Sequence, residues 1–518
     1  MKGLPIGLQD FSDIVSNNMI YVDKTKFIYD LASSGNKYFF VSRPRRFGKS
    51  LTLSVFENLF KGNKELFKDT WIYDKWDFSQ TFPVVRINLV DVNTESIENF
   101  YADLSDLLFF ISQENDIFLE SKTLNGKFRE LIIKLSRKFN KKVVVLVDEY
   151  EKPVLDNITN KDMAKKLRGI LRNFYAVLKA QDENLRFVLL TGITKFTKTG
   201  IFSSLNNIND ISLDKQFSTM FGYTQEELES YFKEYIDVTS KELNIEKSIL
   251  LDEIKKYYNG FSFDGDKFVY NPFSILQFFQ KKEFKNFWFE SGSPFFLYQY
   301  LKEKKVTYKD LTSYPVSELD FSSHEIEDAP PNIFFAQAGY LTFKKRIYYG
   351  FEYEYILDFP NLEVKNGFSK LLLEASYDIP RNYIKEADRN IYLAFSNNNI
   401  DMAFDEIKRI ISSVPYNLHK KEESYYHSLI YTILASSGLN VKAEEASSTG
   451  KSDIVIEFNN RVYIIEIKMD KSAKSALKQI KEKGYFSKYT QKKIILIGLN
   501  VNSEKRNIDE LLIDEVKM

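Results

Sequence analysis

Short uninterrupted apolar runs, separated by stretches of helical spacing, dominate the first two hundred residues. Lys37–Val41 (KYFFV), Pro83–Val90 (PVVRINLV), Val143–Val147 and Arg186–Thr191 (RFVLLT) are continuous rather than alternating. Strands covered on both faces read this way. Apolar positions recur at helical spacing over 51–59, 95–113, 125–138 and 161–180. Strand and helix in alternation predict a three-layer α/β domain on a parallel sheet. From about 217 the texture turns helical and aromatic-rich, over 224–236, 246–258, 272–280 and 294–303. A strand-like return within 333–357 predicts a hairpin, 363–418 reads as helix, and the remainder forms another α/β unit. The expected organisation is an α/β core at 1–216, a helical lid or middle region at 217–362, a helical connector at 363–418 and a C-terminal domain at 419–518.

Composition narrows the chemistry. At 518 residues the chain exceeds what one hydrophobic core supports. Seventy-two basic residues balance 72 acidic ones, which argues against a histone-like polycation and leaves local patches open. The absence of cysteine excludes disulfides, thiolate metal sites and a cysteine nucleophile, and three histidines argue against a histidine-rich metal site. No apolar run is long enough to span a bilayer and the N-terminal MKGLPIGLQDF lacks a secretory apolar region. Cytoplasmic residence and no membrane partner are therefore expected.

The first candidate chemistry lies at Arg43-Pro44-Arg45-Arg46-Phe47-Gly48-Lys49-Ser50, between the strand 37–41 and a helix opening near Leu51. Strand, tight loop, Gly-Lys-Ser and helix form the layout of a phosphate-binding loop. Backbone N–H groups at the helix start face the anion, Lys49 reaches the β/γ-phosphates, and the Ser50 hydroxyl can ligate Mg²⁺. The pattern G-x-x-x-x-G-K-[ST] has glycine where this chain has Arg43, so the loop is stiffer and more cationic than usual. A basic loop capping an ordinary helix is the plainer alternative. Downstream, Val143–Val147 ends in Asp148 and Glu149, at the strand end where ligands bind in parallel sheets. Asp148 is expected to hold Mg²⁺ and Glu149 to orient and deprotonate the attacking water. Thr191 or Thr194, after the next strand, is a candidate γ-phosphate sensor, and either could equally serve a turn. Arg168 and Arg172, four apart on one helix face, are guesses for an arginine finger, which a homo-oligomer would supply from a neighbour. Lys24 has a nucleotide reading beside one in which Asp23 or Thr25 simply caps a helix.

The second candidate emerges from strand register. Ser452–Phe458 (SDIVIEF) and Arg461–Lys468 (RVYIIEIK) flank Asn459-Asn460, a plausible two-residue type I′ turn. Pairing Phe458 with Arg461 sets Asp453 opposite Glu466, and Lys468 points the same way. Two facing carboxylates repel unless a divalent cation joins them, and oxygen ligation favours Mg²⁺ or Mn²⁺. Lys468 can position water or stabilise phosphate charge. A cross-strand acid pair beside a surface lysine is the plainer alternative. Glu423 and His427 share a helix face upstream, Glu422 competes with Glu423, and Gln479 lies on the helix that follows. Nine lysines between 468 and 493, against Asp470 and Glu482, suggest a nucleic-acid backbone footprint beside that site.

RPRRFGKS, LVDEYEKP, TGITKF, YYNGFSF and VYNPFSIL, with the lead-in YVDKT, resemble the AAA-ATPase-like family fused to a C-terminal PD-(D/E)XK nuclease domain, in that family's order along nearly the whole chain. The glycine-poor loop is itself characteristic of the family. The resemblance implies ATP bound by Arg43 to Ser50, with Asp148 and Glu149 as the second acidic motif, and a restriction-endonuclease-like C-terminal fold; Leu51 and Thr194 are further candidate nucleotide contacts. It further implies Glu423 as first-motif acid, Asp453 and Glu466 as metal ligands, Lys468 as catalytic lysine, and Gln479 as trailing helix residue with Tyr485 beyond it. Two functions are carried forward. One is an ATPase controlling a Mg²⁺-dependent phosphodiesterase on nucleic acid, DNA ahead of RNA. The other is a nucleotide-switched interaction protein with an inactive nuclease-like domain.

Overall fold

The structure is a computed structural model that describes the chain apart from residues 196–204, 206, 293–294, 313–314, 324–327, 448–449, 488, 490–491 and 517–518. It forms two compact units: Met1–Trp288 with Tyr314–Asn361, and Phe289–Ser313 with Leu362–Met518.

In the first unit, β1 (Tyr38–Ser42), β2 (Val84–Asn88), β3 (Val143–Asp148), β4 (Leu185–Gly192) and β5 (Asn209–Asp210) form a parallel sheet in the order β2-β3-β4-β1-β5. The helices α1 (Lys49–Lys61), α2 (Ile97–Glu114), α3 (Leu124–Phe139) and α4 (Lys161–Ala180) fall where the periodicity placed them. Every residue of β3 is buried, which is why its sequence is an apolar run instead of an alternating one. Phe187 on β4 packs against Phe39, Phe56 and Phe60 at 5.4, 5.0 and 5.3 Å between ring centroids. The consequence for chemistry is topological. β4 separates β1 from β3, so the segments leaving the carboxyl ends of β1, β3 and β4 converge on one crevice.

The same unit holds a helical cluster, Gln225–Tyr231, Lys233–Leu243, Lys247–Tyr258 and Pro272–Lys281, around Leu228, Phe232, Ile254, Phe278 and Phe279. Beside it lies a small sheet of β6 (Val316–Ser317), β7 (Thr342–Tyr348) and β8 (Tyr353–Asp358) in the order β6-β8-β7. The β7–β8 hairpin is the one expected within 333–357, but it begins only at Thr342. Residues Pro331–Ala338 form a helix instead, opened by a proline at its start and closed by Gly339 at φ +88°. Phe289–Ser313 joins the second unit, where Tyr308 stacks on Tyr431 at 3.9 Å and Ser376 Oγ donates to Leu301 C=O at 3.4 Å. The region 217–362 is accordingly shared between two cores, an exchange that leaves helical periodicity unchanged and so leaves no trace in the sequence.

In the second unit, β9 (Asn440–Ser447), β10 (Gly450–Phe458), β11 (Arg461–Met469), β12 (Lys493–Asn502) and β13 (Asn507–Glu515) make a mixed sheet in the order β13-β12-β11-β10-β9. β11 and β12 are parallel, so a crossover must join them, and α6 (Ala473–Lys483) supplies it. Gly498 on β12 lets that helix approach, because a Cβ there would overlap the Ala473 carbonyl. The helix α5 (Glu423–Ser436) precedes the sheet. Among the described residues no helix is long and apolar enough to cross a membrane.

Candidate nucleotide and metal sites

The loop after β1 turns through Arg46 at φ +64° and Gly48 at φ +89°, and α1 begins at Lys49. Thr52 N–H donates to Gly48 C=O at 2.9 Å, so the N–H groups of Lys49, Ser50 and Leu51 are those a first helical turn leaves without intrahelical acceptors. They form the start of an anion cradle. Lys49 is 4% exposed, and its Nζ lies 3.1 Å from Arg43 C=O, 3.3 Å from Pro44 C=O and 3.4 Å from Glu149 Oε1. The amine therefore faces the carboxyl ends of the central strands.

Arg43, expected from the sequence to touch the nucleotide, has its side chain engaged by the protein itself. Its side chain is buried, with Nη1 donating to Ser42 and Ser212 C=O at 2.8 and 2.7 Å and Nη2 to Phe217 C=O at 3.2 Å. The guanidinium lies over the Phe263 ring at 4.0 Å. Burial pulls its pKa down to about 9, with Asp210 and Asp264 opposing. Its backbone N–H is also engaged, by Gly192 C=O at 3.0 Å. This cation joins the loop to the segments that carry Ser212 and Phe217. Arg43→Ala is expected to cost about 3 kcal/mol by stranding buried carbonyls, seen as a lowered melting transition with ATP affinity changed far less.

The other loop residues also engage their own unit. Trp288 Nε1 donates to Arg45 C=O at 2.9 Å, Phe47 meets Phe261 and Phe263 at 4.9 and 5.6 Å, and Arg46 lies over Phe273 at 5.1 Å. A Cβ on Gly339 would overlap the Pro44 ring. Half-buried Arg45 keeps a side chain with no described partner.

At the end of β3, Thr191 Oγ1 donates to Asp148 Oδ1 at 2.8 Å, while Asp148 Oδ2 is buried without a partner. Glu149 follows at φ +51°, a strained backbone at the point where its carboxylate meets Lys49. Thr194 is buried and its Oγ1 is likewise unpartnered. Glu151 is a residue that sequence reasoning missed. Its carboxylate is fully buried, and Oε1 accepts from Ile193 N–H and from Thr194 N–H at 3.0 Å. Burial, then the Glu149 charge, pushes its pKa up to about 8. Tyr150 Oη adds a bond to Thr194 C=O at 3.1 Å, so Asp148, Tyr150 and Glu151 all grip 191–194 and leave Glu149 to Lys49. A Cβ on Gly192 would overlap the Glu151 carboxylate. The acid directly after Asp-Glu-Tyr and the glycine after the next strand were the available signals. Lys24 is away from this crevice, donating to Glu227 at 2.7 Å and to Thr219 C=O at 2.8 Å. Arg168 is half-buried and Arg172 exposed on α4.

In the second unit the turn has Asn459 at φ +46° and Asn460 at φ +60°, and Phe458 pairs with Arg461 through to Ile454 with Ile465. That is the register expected, and the next step inward brings Asp453 against the Glu466 strand: Asp453 Oδ2 accepts from Ile467 N–H at 2.8 Å. Glu466 is 1% exposed, and its Oε1 accepts from Lys468 Nζ at 2.9 Å and from Gln479 Nε2. Gln479 also reaches Tyr485 Oη at 3.4 Å. Glu466 Oε2 is buried and unpartnered. Burial and then the Asp453 charge raise Glu466 to about 7, and burial raises Asp453. Lys468 stands above its ordinary value: burial lowers it, but the bond to Glu466 together with the charges of Glu466, Asp453 and Glu423 outweighs burial. Glu423 Oε2 accepts from Met469 N–H at 3.1 Å, bringing α5 to the end of β11, while His427 Nε2 meets Asp453 C=O at 2.9 Å. Glu422 is the N-cap residue, exposed, without a side-chain capping bond.

Among the described residues no three His, Cys, Asp or Glu converge to hold a metal by themselves. The unpartnered oxygens of Asp148 and Glu466 suit instead a cation that keeps several waters, as Mg²⁺ does. The lysine run is less free than its sequence suggests. Lys478, Lys481, Lys492 and Lys493 pair with Glu482, Asp514, Glu457 and Glu515, three of which come from neighbouring strands. Lys488 lies outside the described residues.

A phosphate-loop α/β unit joined to a mixed-sheet unit with facing acids places the protein among P-loop ATPase-like proteins that carry a nuclease-like domain. Sequence comparison agrees: residues 5–202 match the family described as Predicted AAA-ATPase, and residues 421–511 match the PD-(D/E)XK nuclease superfamily. A protein of Azotobacter chroococcum mcd 1, described as an uncharacterized protein in the vnfD 5′ region, is 35% identical over 527 residues, spanning 99% of both chains. The chain belongs to the AAA-ATPase-like family with a C-terminal PD-(D/E)XK nuclease domain.

Proposed function

We propose that this protein binds and hydrolyses ATP at the loop after β1, and that the ATPase controls a Mg²⁺-dependent phosphodiesterase in the C-terminal domain acting on nucleic acid, DNA before RNA. The observation that carries the proposal is the presence in one chain of two constellations, each pairing an amine with a carboxylate beside an unpartnered buried carboxylate oxygen. In the first, the α1 N–H groups and Lys49 hold the phosphates, while Ser50 and Asp148 hold Mg²⁺. Glu149 takes a proton from the attacking water, and Thr194 or Thr191 reads the γ-phosphate. In the second, Asp453 and Glu466 hold the cation, which supplies Lewis-acid stabilisation of phosphate charge. Lys468 positions the water or opposes developing charge, Gln479 fixes Glu466, and Glu423 orients the end of β11. A homo-oligomer completing the ATP site with an arginine, and cytoplasmic residence, belong to the same proposal.

Glu149→Gln is expected to retain ATP within a few-fold of wild type and to lose turnover; loss of ATP binding would make Glu149 structural. Cleavage of DNA with Mg²⁺ and ATP, compared across wild type, Lys49→Ala and Lys468→Ala, tests the whole, and equal cleavage by all three rejects it. The second reading, a nucleotide-switched interaction protein, draws support from the loop's bonds to Trp288, Phe261 and Phe263. A stable ATP complex without hydrolysis, and no Mn²⁺ binding at Asp453 and Glu466, would favour it.

A further inference from the structure

Ion pairing of Lys478 and Lys481 on α6 removes much of the obvious phosphate footprint, and other cations near Glu423 and Lys468 remain without a described ion pair. Lys420 and Lys421 immediately precede α5, and Lys471 follows β11; all three are exposed and make no described ion pair. Tyr416, 77% exposed, stands just before Lys420 on the short 3₁₀ turn Tyr416–Leu418. The Arg506 guanidinium lies 3.4 Å from its ring centroid.

This pair is anchored to the candidate site from both sides. The β12–β13 turn that carries Arg506 is tied to β11 by Ser503 N–H donating to Asp470 Oδ1 at 2.8 Å, two residues beyond Lys468. The turn that carries Tyr416 leads into α5, whose Glu423 accepts from Met469 N–H. His419 steadies that turn, with Nε2 at 3.2 Å from Val414 C=O and Nδ1 at 3.4 Å from Tyr426 Oη. Lys421 is within electrostatic reach of both Tyr416 and Asp470, and Arg506 of both His419 and Tyr426. One face of the Tyr416 ring is covered by a cation while the residue remains largely exposed. A base can stack on such a ring while neighbouring ammonium groups take successive phosphates.

We infer that Tyr416 with Arg506, flanked by Lys420, Lys421 and Lys471, is the entry surface for a single-stranded polynucleotide, stacking one unpaired base on Tyr416 as the backbone is led toward Asp453 and Glu466. The surface prefers unpaired strands because a base inside a duplex cannot present its face to a side chain. It rests on the phosphodiesterase reading and specifies how that site meets its substrate.

The test is fluorescence anisotropy of fluorescein-labelled poly(dT), poly(U) and a blunt DNA duplex with the full-length chain in EDTA, with cleavage in Mg²⁺ measured alongside. Tyr416→Ala should weaken poly(dT) binding roughly tenfold and the duplex less than about threefold, and Tyr416→Phe should restore it. Lys421→Ala should lower the slope of log affinity against log salt by about one. Lys478→Ala and Lys481→Ala should bind as wild type. Poly(U) bound in place of poly(dT), with the same loss in Tyr416→Ala, keeps the surface and assigns it to RNA. Unchanged binding in both Tyr416→Ala and Lys421→Ala, with unaltered melting transitions, overturns the inference whether or not DNA is cut. Binding that follows the predicted pattern in a wild type that cuts nothing overturns the phosphodiesterase reading alone.

Discussion

Lys49→Ala is expected to abolish ATP turnover and to weaken ATP binding by roughly tenfold to a hundredfold, since a charge-assisted hydrogen bond contributes about 1.5–3 kcal/mol. The expectation rests on where the amine is held. Two carbonyls of its own loop and the Glu149 carboxylate surround it, so Lys49 is already oriented and loses little conformational freedom on meeting a phosphate. The same contacts give the experiment its control. Removing the amine leaves Glu149 facing the carbonyls of Arg43 and Pro44, a repulsive arrangement that modestly lowers the melting temperature. Titration with a non-hydrolysable ATP analogue separates the two effects. Unchanged affinity with a lowered melting temperature would make Lys49 a structural strut.

The second large effect has opposite signs in stability and activity. Asp453→Asn should reduce Mg²⁺-dependent cleavage by about a hundredfold or more while raising the melting temperature of the metal-free protein. Asp453 and Glu466 are both drawn out of water, which raises both pKa values, and the Asp453 charge raises Glu466 further. An amide at 453 removes that charge and can still accept from Ile467 N–H, the one bond Asp453 Oδ2 makes to β11. The gain is expected to be about 1 kcal/mol, of the kind seen when a functional site is relieved of its own strain. Lys468→Ala should abolish cleavage equally but destabilise, because the buried Glu466 carboxylate then loses its cationic partner. Differential scanning fluorimetry in EDTA beside a cleavage assay reads both. A lowered melting temperature for Asp453→Asn would mean that the pair is held by a balance other than repulsion.

Much of this geometry is legible without coordinates, for identifiable reasons. The central strands are covered on both faces, so their apolar runs are unbroken, and Asn459-Asn460 fixes a hairpin register that a two-residue turn leaves no freedom to change. What escapes the sequence is direction and company. Arg43 reads as a phosphate ligand because it lies beside Gly48 and Lys49, yet three main-chain carbonyls from residues 42, 212 and 217 claim it. The lysines after 468 read as a free cationic face because the acids that neutralise them, Glu457, Asp514 and Glu515, are distant in sequence and adjacent only across the sheet. Glu151 shows the converse. A buried acid is invisible until its partners, the N–H groups of residues 193 and 194, are known.

The loop after β1 has given up glycines, and the wall it leans on has taken one: Gly339 makes room for Pro44. Slack has thus changed sides. On the nucleotide reading proposed above, a loop braced by Phe261, Phe263 and Trp288 is expected to meet its ligand with little adjustment and to release ADP more slowly than the bond is cleaved, which a burst of phosphate in the first turnover would show.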